Sequence, residues 1–162
     1  MSATVDSFPS GWRGAAAILV DCHLTVAASS GLAEALFPGL RAGDNLARQV
    51  FLGSPGQDPL CALDASAQIV AALQASRGKD DDGLGRLVGE LSALSRGFSS
   101  AWAYATEPLR PSGVVRSDHP ALGPMSLRYE LVRLSASDDI VIVWQGGDPA
   151  SVAALARLAP RR

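Results

Sequence analysis

The chain has 162 residues, 48% of them apolar and 19% charged, with a formal net charge of -2. That length suits one domain that buries roughly two thirds of its extended surface, so a hydrophobic core forms without covalent staples. The composition is globular and suggests neither a fibre nor a disordered chain. A pI near 5.6 with scattered arginines also argues against direct contact with nucleic acid, which calls for a basic face.

Residues 1–14 hold Ser, Pro and Gly with one Trp, and read as a leader that orders only if Trp12 docks on the core. Ala15–Val20 and Leu24–Ala28 are short β-prone runs around the turn residues Asp21, Cys22 and His23, which predicts a tight hairpin. The first run followed by Cys22 faintly resembles a lipoprotein signal. Its apolar part spans only about six residues, below the roughly 7–15 such a signal needs, and Asp21 stands where a small residue is required. Nothing approaches the ~20 apolar residues of a membrane span. The two cysteines, Cys22 and Cys61, form neither a disulfide framework nor a C-x-x-C site, so a reducing, cytoplasmic setting is expected.

Ser29 or Ser30 caps a short helix with Leu32, Ala35 and Leu36 on one face, ended by Phe37-Pro38-Gly39. Asp44 or Asn45 caps a second, through Leu46, Val50 and Phe51. Residues 53–59 are loop by composition. Asp64 or Ser66 opens a third helix, with Ile69, Val70 and Leu73 on one side. One long helix is then predicted after Asp80, Asp81 and Asp82. Leu84, Leu87, Val88, Leu91, Leu94, Phe98 and Trp102 step by three and four and draw a single stripe. Beyond Pro111 the period becomes two. Met125, Leu127, Tyr129 and Leu131 alternate with polar residues, and a parity change at Val132 and Leu134 predicts a bulge or a strand covered on both sides. Ile140–Trp144, apolar throughout, suits a central strand. Asp148-Pro149 opens a last helix with Val152, Leu155 and Leu158 inward. Two strands, several helices, three strands and a helix give an α+β domain over residues 15–160: one antiparallel sheet packed by helices.

Several segments, taken in order, resemble a known family. They are Ala35-Leu36-Phe37; Asn45-Leu46-Ala47-Arg48 through Phe51-Leu52; Leu87-Val88-Gly89-Glu90-Leu91-Ser92 with Ser95, Phe98 and Trp102; Ser112-Gly113; His119-Pro120; and Gly123, Leu127, Tyr129, Glu130 and Leu134. Residues 16–158 are similar to the ligand-binding domain of MmyB-like transcription regulators. The resemblance implies a PAS-like fold, with an antiparallel sheet and helices enclosing an apolar pocket. It also implies a regulatory role in which the pocket holds a small hydrophobic molecule such as a fatty acid. In that family a helix-turn-helix normally precedes the domain. Here about fourteen residues precede the first strand, so the chain is either a stand-alone sensor, with output through a homodimer or a DNA-binding partner protein, or a fragment of a longer regulator. The family often has Trp-Asn where this chain has Ser29-Ser30, which opens the ligand to change.

On this reading Arg48, Phe51, Leu91, Phe98, Trp102, Tyr129 and Trp144 are the expected ligand-binding residues. Large rings line pockets and also fill ordinary cores, and the sequence does not separate the two. Arg48 is chosen for an anionic head group because a guanidinium holds a carboxylate by two bonds. His119 reads as a turn histidine bonded to nearby backbone more readily than as a proton switch. No G-x-S-x-G elbow, no triad spacing, no D-x-D-x-D-G loop and no zinc spacing is present, so no enzyme, metal or cofactor is expected. The rival reading is a ligand-free interaction or dimerisation module of the same fold.

Overall fold

The computed structural model describes residues 15–53, 65–76, 82–134 and 137–159. The expected leader, the 54–59 loop, Cys61, Asp64, Asp80 and Asp81 lie outside them. The described chain runs β1 (Ala16–Val20), β2 (Val26–Ser29), α1 (Gly31–Leu36), α2 (Leu46–Leu52), α3 (Ser66–Ala75), α4 (Asp82–Leu94), α5 (Arg96–Tyr104), β3 (Ser112–His119), β4 (Gly123–Arg133), β5 (Ile140–Gly146) and α6 (Pro149–Leu158). The five strands form one sheet in the order β2-β1-β5-β4-β3 with every neighbouring pair antiparallel. The class is α+β, as expected, and the open sheet is consistent with a PAS-like fold.

The starts of α1, α2, α5 and α6 follow capping chemistry, in which a side-chain oxygen takes one of the backbone N–H groups left unpaired at a helix N-terminus, whereas α3 begins after Ala65 with no side-chain cap. Of the paired candidates, Ser30 caps α1 by accepting from the Ala33 N–H, and Asn45 caps α2 by accepting from that of Arg48. Asp148 caps α6 by accepting from the Ser151 N–H at 2.7 Å, with Pro149 at the first helical position. The same hydrogen bond holds the Asp148 carboxyl below its ordinary pKa.

Three expectations are corrected. The single long helix is two helices. The Ser95 N–H still donates to the Leu91 carbonyl, but the Ser95 side chain accepts from the Phe98 N–H and starts α5 afresh. The apolar stripe survives the break, since Leu84, Leu87, Leu91 and Phe98 are all buried, whereas Leu94 beside it is exposed. β4 carries no bulge at Val132, because its register with β5 is unbroken from Leu127 to Arg133. The parity change instead reflects Leu134 packing on the opposite face of the sheet. Val152 of α6 faces out, and Ser151, Ala154 and Leu155 face in.

The two faces of the sheet differ. Buried apolar residues of all six helices belong to one cluster with Ile18, Val20, Leu127, Tyr129, Ile142 and Trp144. This is the inner face. α6 comes close there: a Cβ at Gly146 would collide with the backbone of Val152, so β5 ends on glycine where the helix crosses it. The outer face carries a second, smaller cluster of Ala17, Leu19, Ala28, Val141 and Val143.

Candidate ligand-binding site

Between α3 and the inner face lies a cavity of about 280 Å³, close to the lower end of small-molecule sites, which run from about 300 to 1,000 Å³. Its floor is Val115, Tyr129, Leu131, Ile140, Ile142 and Trp144, from three strands. Its roof is Leu46 and Val50 of α2 with Ile69 and Ala72 of α3, and Leu24 closes one side. Ala65, Ala67, Ala72 and Gly113 are the short side chains in this wall. Short side chains at these positions leave room in the wall that a Leu or Phe there would take up.

Polar groups gather at the mouth. Gln68 donates from Nε2 to the Pro108 carbonyl at 3.2 Å and accepts at Oε1 from the Arg110 N–H at 2.7 Å, which ties the segment after α5 to α3. The exposed Arg110 guanidinium stands 3.8 Å from the Glu107 carboxylate, a distance at which the pair adds little in water. The Tyr129 ring lies flat under Gly113, where an added Cβ would sit 2.8 Å from it. Burial disfavours phenolate and pushes the Tyr129 hydroxyl above its ordinary pKa, so the group at the mouth is a neutral donor. The floor and roof are apolar, and the donors and charges stand at the opening.

Leu24 enters this wall by an unusual backbone. Its φ of 65° is left-handed, a conformation that costs a residue with a Cβ about 1–3 kcal/mol unless its surroundings fix it. The surroundings do so. The Asp21 carboxylate accepts from the N–H groups of His23 and Thr25, the Asn45 amide donates to the His23 carbonyl, and the Leu46 N–H donates to the Leu24 carbonyl. The same asparagine that caps α2 therefore holds the hairpin turn against the roof.

Of the seven expected residues, Tyr129 and Trp144 line the cavity. Phe51, Leu91, Phe98 and Trp102 come together elsewhere. Phe98 sits edge-on to Phe51 at 5.1 Å and stacked on Trp102 at 5.7 Å, and Leu91 and Phe98 have no exposed surface. These rings pack on one another where α2, α4 and α5 meet. Arg48 lies on the exposed side of α2, where it makes a bidentate pair with Glu90 of α4, Nη2 to Oε2 at 2.7 Å and Nε to Oε1 at 3.1 Å. That hydrogen bond raises the Arg48 pKa and lowers that of Glu90. Leu24, Gln68, Ala72, Arg110 and Gly113 are the site residues that the sequence did not single out.

His119 is a structural turn residue. Its Nδ1 accepts from the Ala121 and Leu122 N–H groups and its Nε2 stands 3.1 Å from the Ala35 carbonyl, an arrangement that fits the neutral ring with its proton on Nε2. It ties the β3–β4 turn to the end of α1.

The family model of the MmyB-like transcription regulator ligand binding domain matches residues 2–158, nearly the entire chain. The chain belongs to this family. A regulatory, ligand-binding role follows for this MmyB-like domain, and the cavity is where its structure offers room for a small molecule. No curated protein matches it in sequence. Among the described residues, no group of three or more His, Cys, Asp or Glu could hold a metal ion, and no helix is long and apolar enough to cross a membrane.

Proposed function

We propose that this domain senses a small hydrophobic molecule with an acidic head, such as a fatty acid, held between α3 and the sheet. The observation that carries the reading is the polarity of the cavity: alkyl and ring carbons inside, Arg110, Gln68 and the Tyr129 hydroxyl at the opening. An amphiphile matches that order, with its chain on Trp144, Ile142 and Val50 and its carboxylate on the guanidinium. Arg110 takes the head-group role because it lines the cavity and its exposed pair with Glu107 is long, at 3.8 Å, whereas Arg48 lies outside the cavity and is held by Glu90 at 2.7 Å. A cavity near 280 Å³ suits a short chain, or one end of a longer one. The domain acts in the cytoplasm without catalysing a reaction, and passes occupancy on through protein contacts, by self-association or to a DNA-binding partner.

Native mass spectrometry of protein purified from cells, followed by titration with an acid and its matching alcohol, tests the proposal. A co-purifying amphiphile is expected. Arg110→Ala should weaken the acid by about 10-fold, ~1.4 kcal/mol, and the alcohol little. Equal losses for both remove the head-group assignment. A consistently empty cavity with no binding of either removes the sensor and leaves an interaction module.

A further inference from the structure

The floor of the cavity is hydrocarbon except at two rings with polar edges. Tyr129 and Trp144 are register partners on β4 and β5, are 9% and 5% exposed, and both line the cavity. A ring buried this far usually gives its O–H or N–H an acceptor. Among the described residues, neither the Tyr129 hydroxyl nor the Trp144 indole nitrogen has one. The ring that meets the indole is Phe37, edge-on with 4.8 Å between centroids, and it offers only carbon.

The two donors are not equivalent. The Tyr129 ring reaches to β3, under Gly113, and its hydroxyl belongs to the mouth with Arg110. Trp144 stands one strand further from that edge, by about 4.7–4.9 Å, and touches the end of α1 through Phe37. Nor is its nitrogen entombed. Among the described residues, the buried side-chain polar atom with neither surface nor partner is Ser117 Oγ. The Trp144 nitrogen therefore keeps some surface, and the open space that its ring borders is the cavity. An N–H in such a wall is satisfied only by what the cavity holds. A plain alkyl chain laid over it strips it of water and offers no acceptor, whereas an oxygen on the chain accepts from it.

We propose that Trp144 sets ligand specificity: its indole N–H donates to an oxygen of the guest, a ketone, hydroxyl or ether oxygen set along the chain away from the carboxylate. The inference rests on the cavity being the ligand site, and it narrows the guest from a plain fatty acid to an oxygen-bearing one. The carboxylate stays at Arg110, and the second oxygen fixes how far the chain enters.

The test is calorimetric titration of the full chain with octanoic acid and with its keto derivatives, the ketone placed at successive positions along the chain. One position is expected to bind about 3- to 10-fold tighter than octanoic acid, the worth of one hydrogen bond. Trp144→Phe keeps a ring and removes the donor, so it should erase that gain and leave octanoic acid within about twofold. In the unsubstituted protein, the Trp144 indole N–H resonance should move downfield with the preferred keto acid and not with octanoic acid, which tests the bond without need of the variant. Binding of octanoic acid with no gain from any ketone overturns the proposal and leaves the sensor reading standing, as does a gain that Trp144→Phe leaves intact. Binding of none of the acids overturns both.

Discussion

The inner layer contains two regions built from the same kinds of residue to opposite effect. Beneath α4 and α5, Phe98 lies edge-on to Phe51 and stacked on Trp102, and Phe98 and Leu91 are fully buried. Beneath α3, Ala65, Ala67 and Ala72 line a cavity with Tyr129, Ile142 and Trp144. Aromatic content therefore does not mark the cavity in this domain, and the placing of short side chains opposite long ones does.

The largest effect that could break this contrast is at Phe98. Phe98→Ala should destabilise the fold by about 3–5 kcal/mol in urea denaturation, the range for emptying a buried phenylalanine site. Affinity of the protein that remains folded should stay within about twofold, which is less than 1.4 kcal/mol. A collapse of affinity with stability kept would move the site to the aromatic cluster.

Next comes Ala72→Phe, which puts a ring into the cavity. Calorimetric titration should show binding reduced by at least about 10-fold, ~1.4 kcal/mol, while stability falls by no more than the ~1–3 kcal/mol of an overfilled core. Undiminished binding would place the guest elsewhere. Gly113→Ala sharpens the picture of the mouth. The added methyl must push the Tyr129 ring from its place, so affinity should drop by about 0.5–1.5 kcal/mol, the scale of an off-rotamer side chain.

The smallest effect is at the exposed Arg48–Glu90 pair. Arg48→Ala should leave ligand affinity unchanged; a loss would return the head group to this arginine. Glu90 has its pKa lowered by Arg48, so its contribution is present above the ordinary carboxylate range and fades as pH falls through the lowered value. Thermal melts of Glu90→Gln against the unsubstituted protein should show a slight deficit at neutral pH that closes in acid.

Much of the architecture was legible because it rests on local chemistry. Ser30, Asn45 and Asp148 are caps by residue type, and β4 shows its buried face in Met125, Leu127 and Tyr129. β3 was harder, because its inward residues include Ser117 and His119, and polar groups turned inward erase the alternation that marks a strand. The break at Ser95 was hidden because the apolar spacing continues across it. The site was the least legible part. Tyr129 and Trp144 are large and conspicuous, but a cavity is a shortage of volume, and alanines on α3 announce it only once their facing strands are known. Arg48 and Arg110 look alike in sequence, and the bidentate pair of Arg48 with Glu90, forty-two positions away, is visible only in the fold.

β5 has a consequence of its own. Its even-numbered residues Ile140, Ile142 and Trp144 form the cavity floor, and Val141 and Val143, interleaved with them, face the opposite side. A strand is only one residue thick, so a displacement of this central ribbon moves both surfaces at once, and any guest in the proposed site that lifted it would alter the opposite face without a hinge, a lid or a relay of side chains.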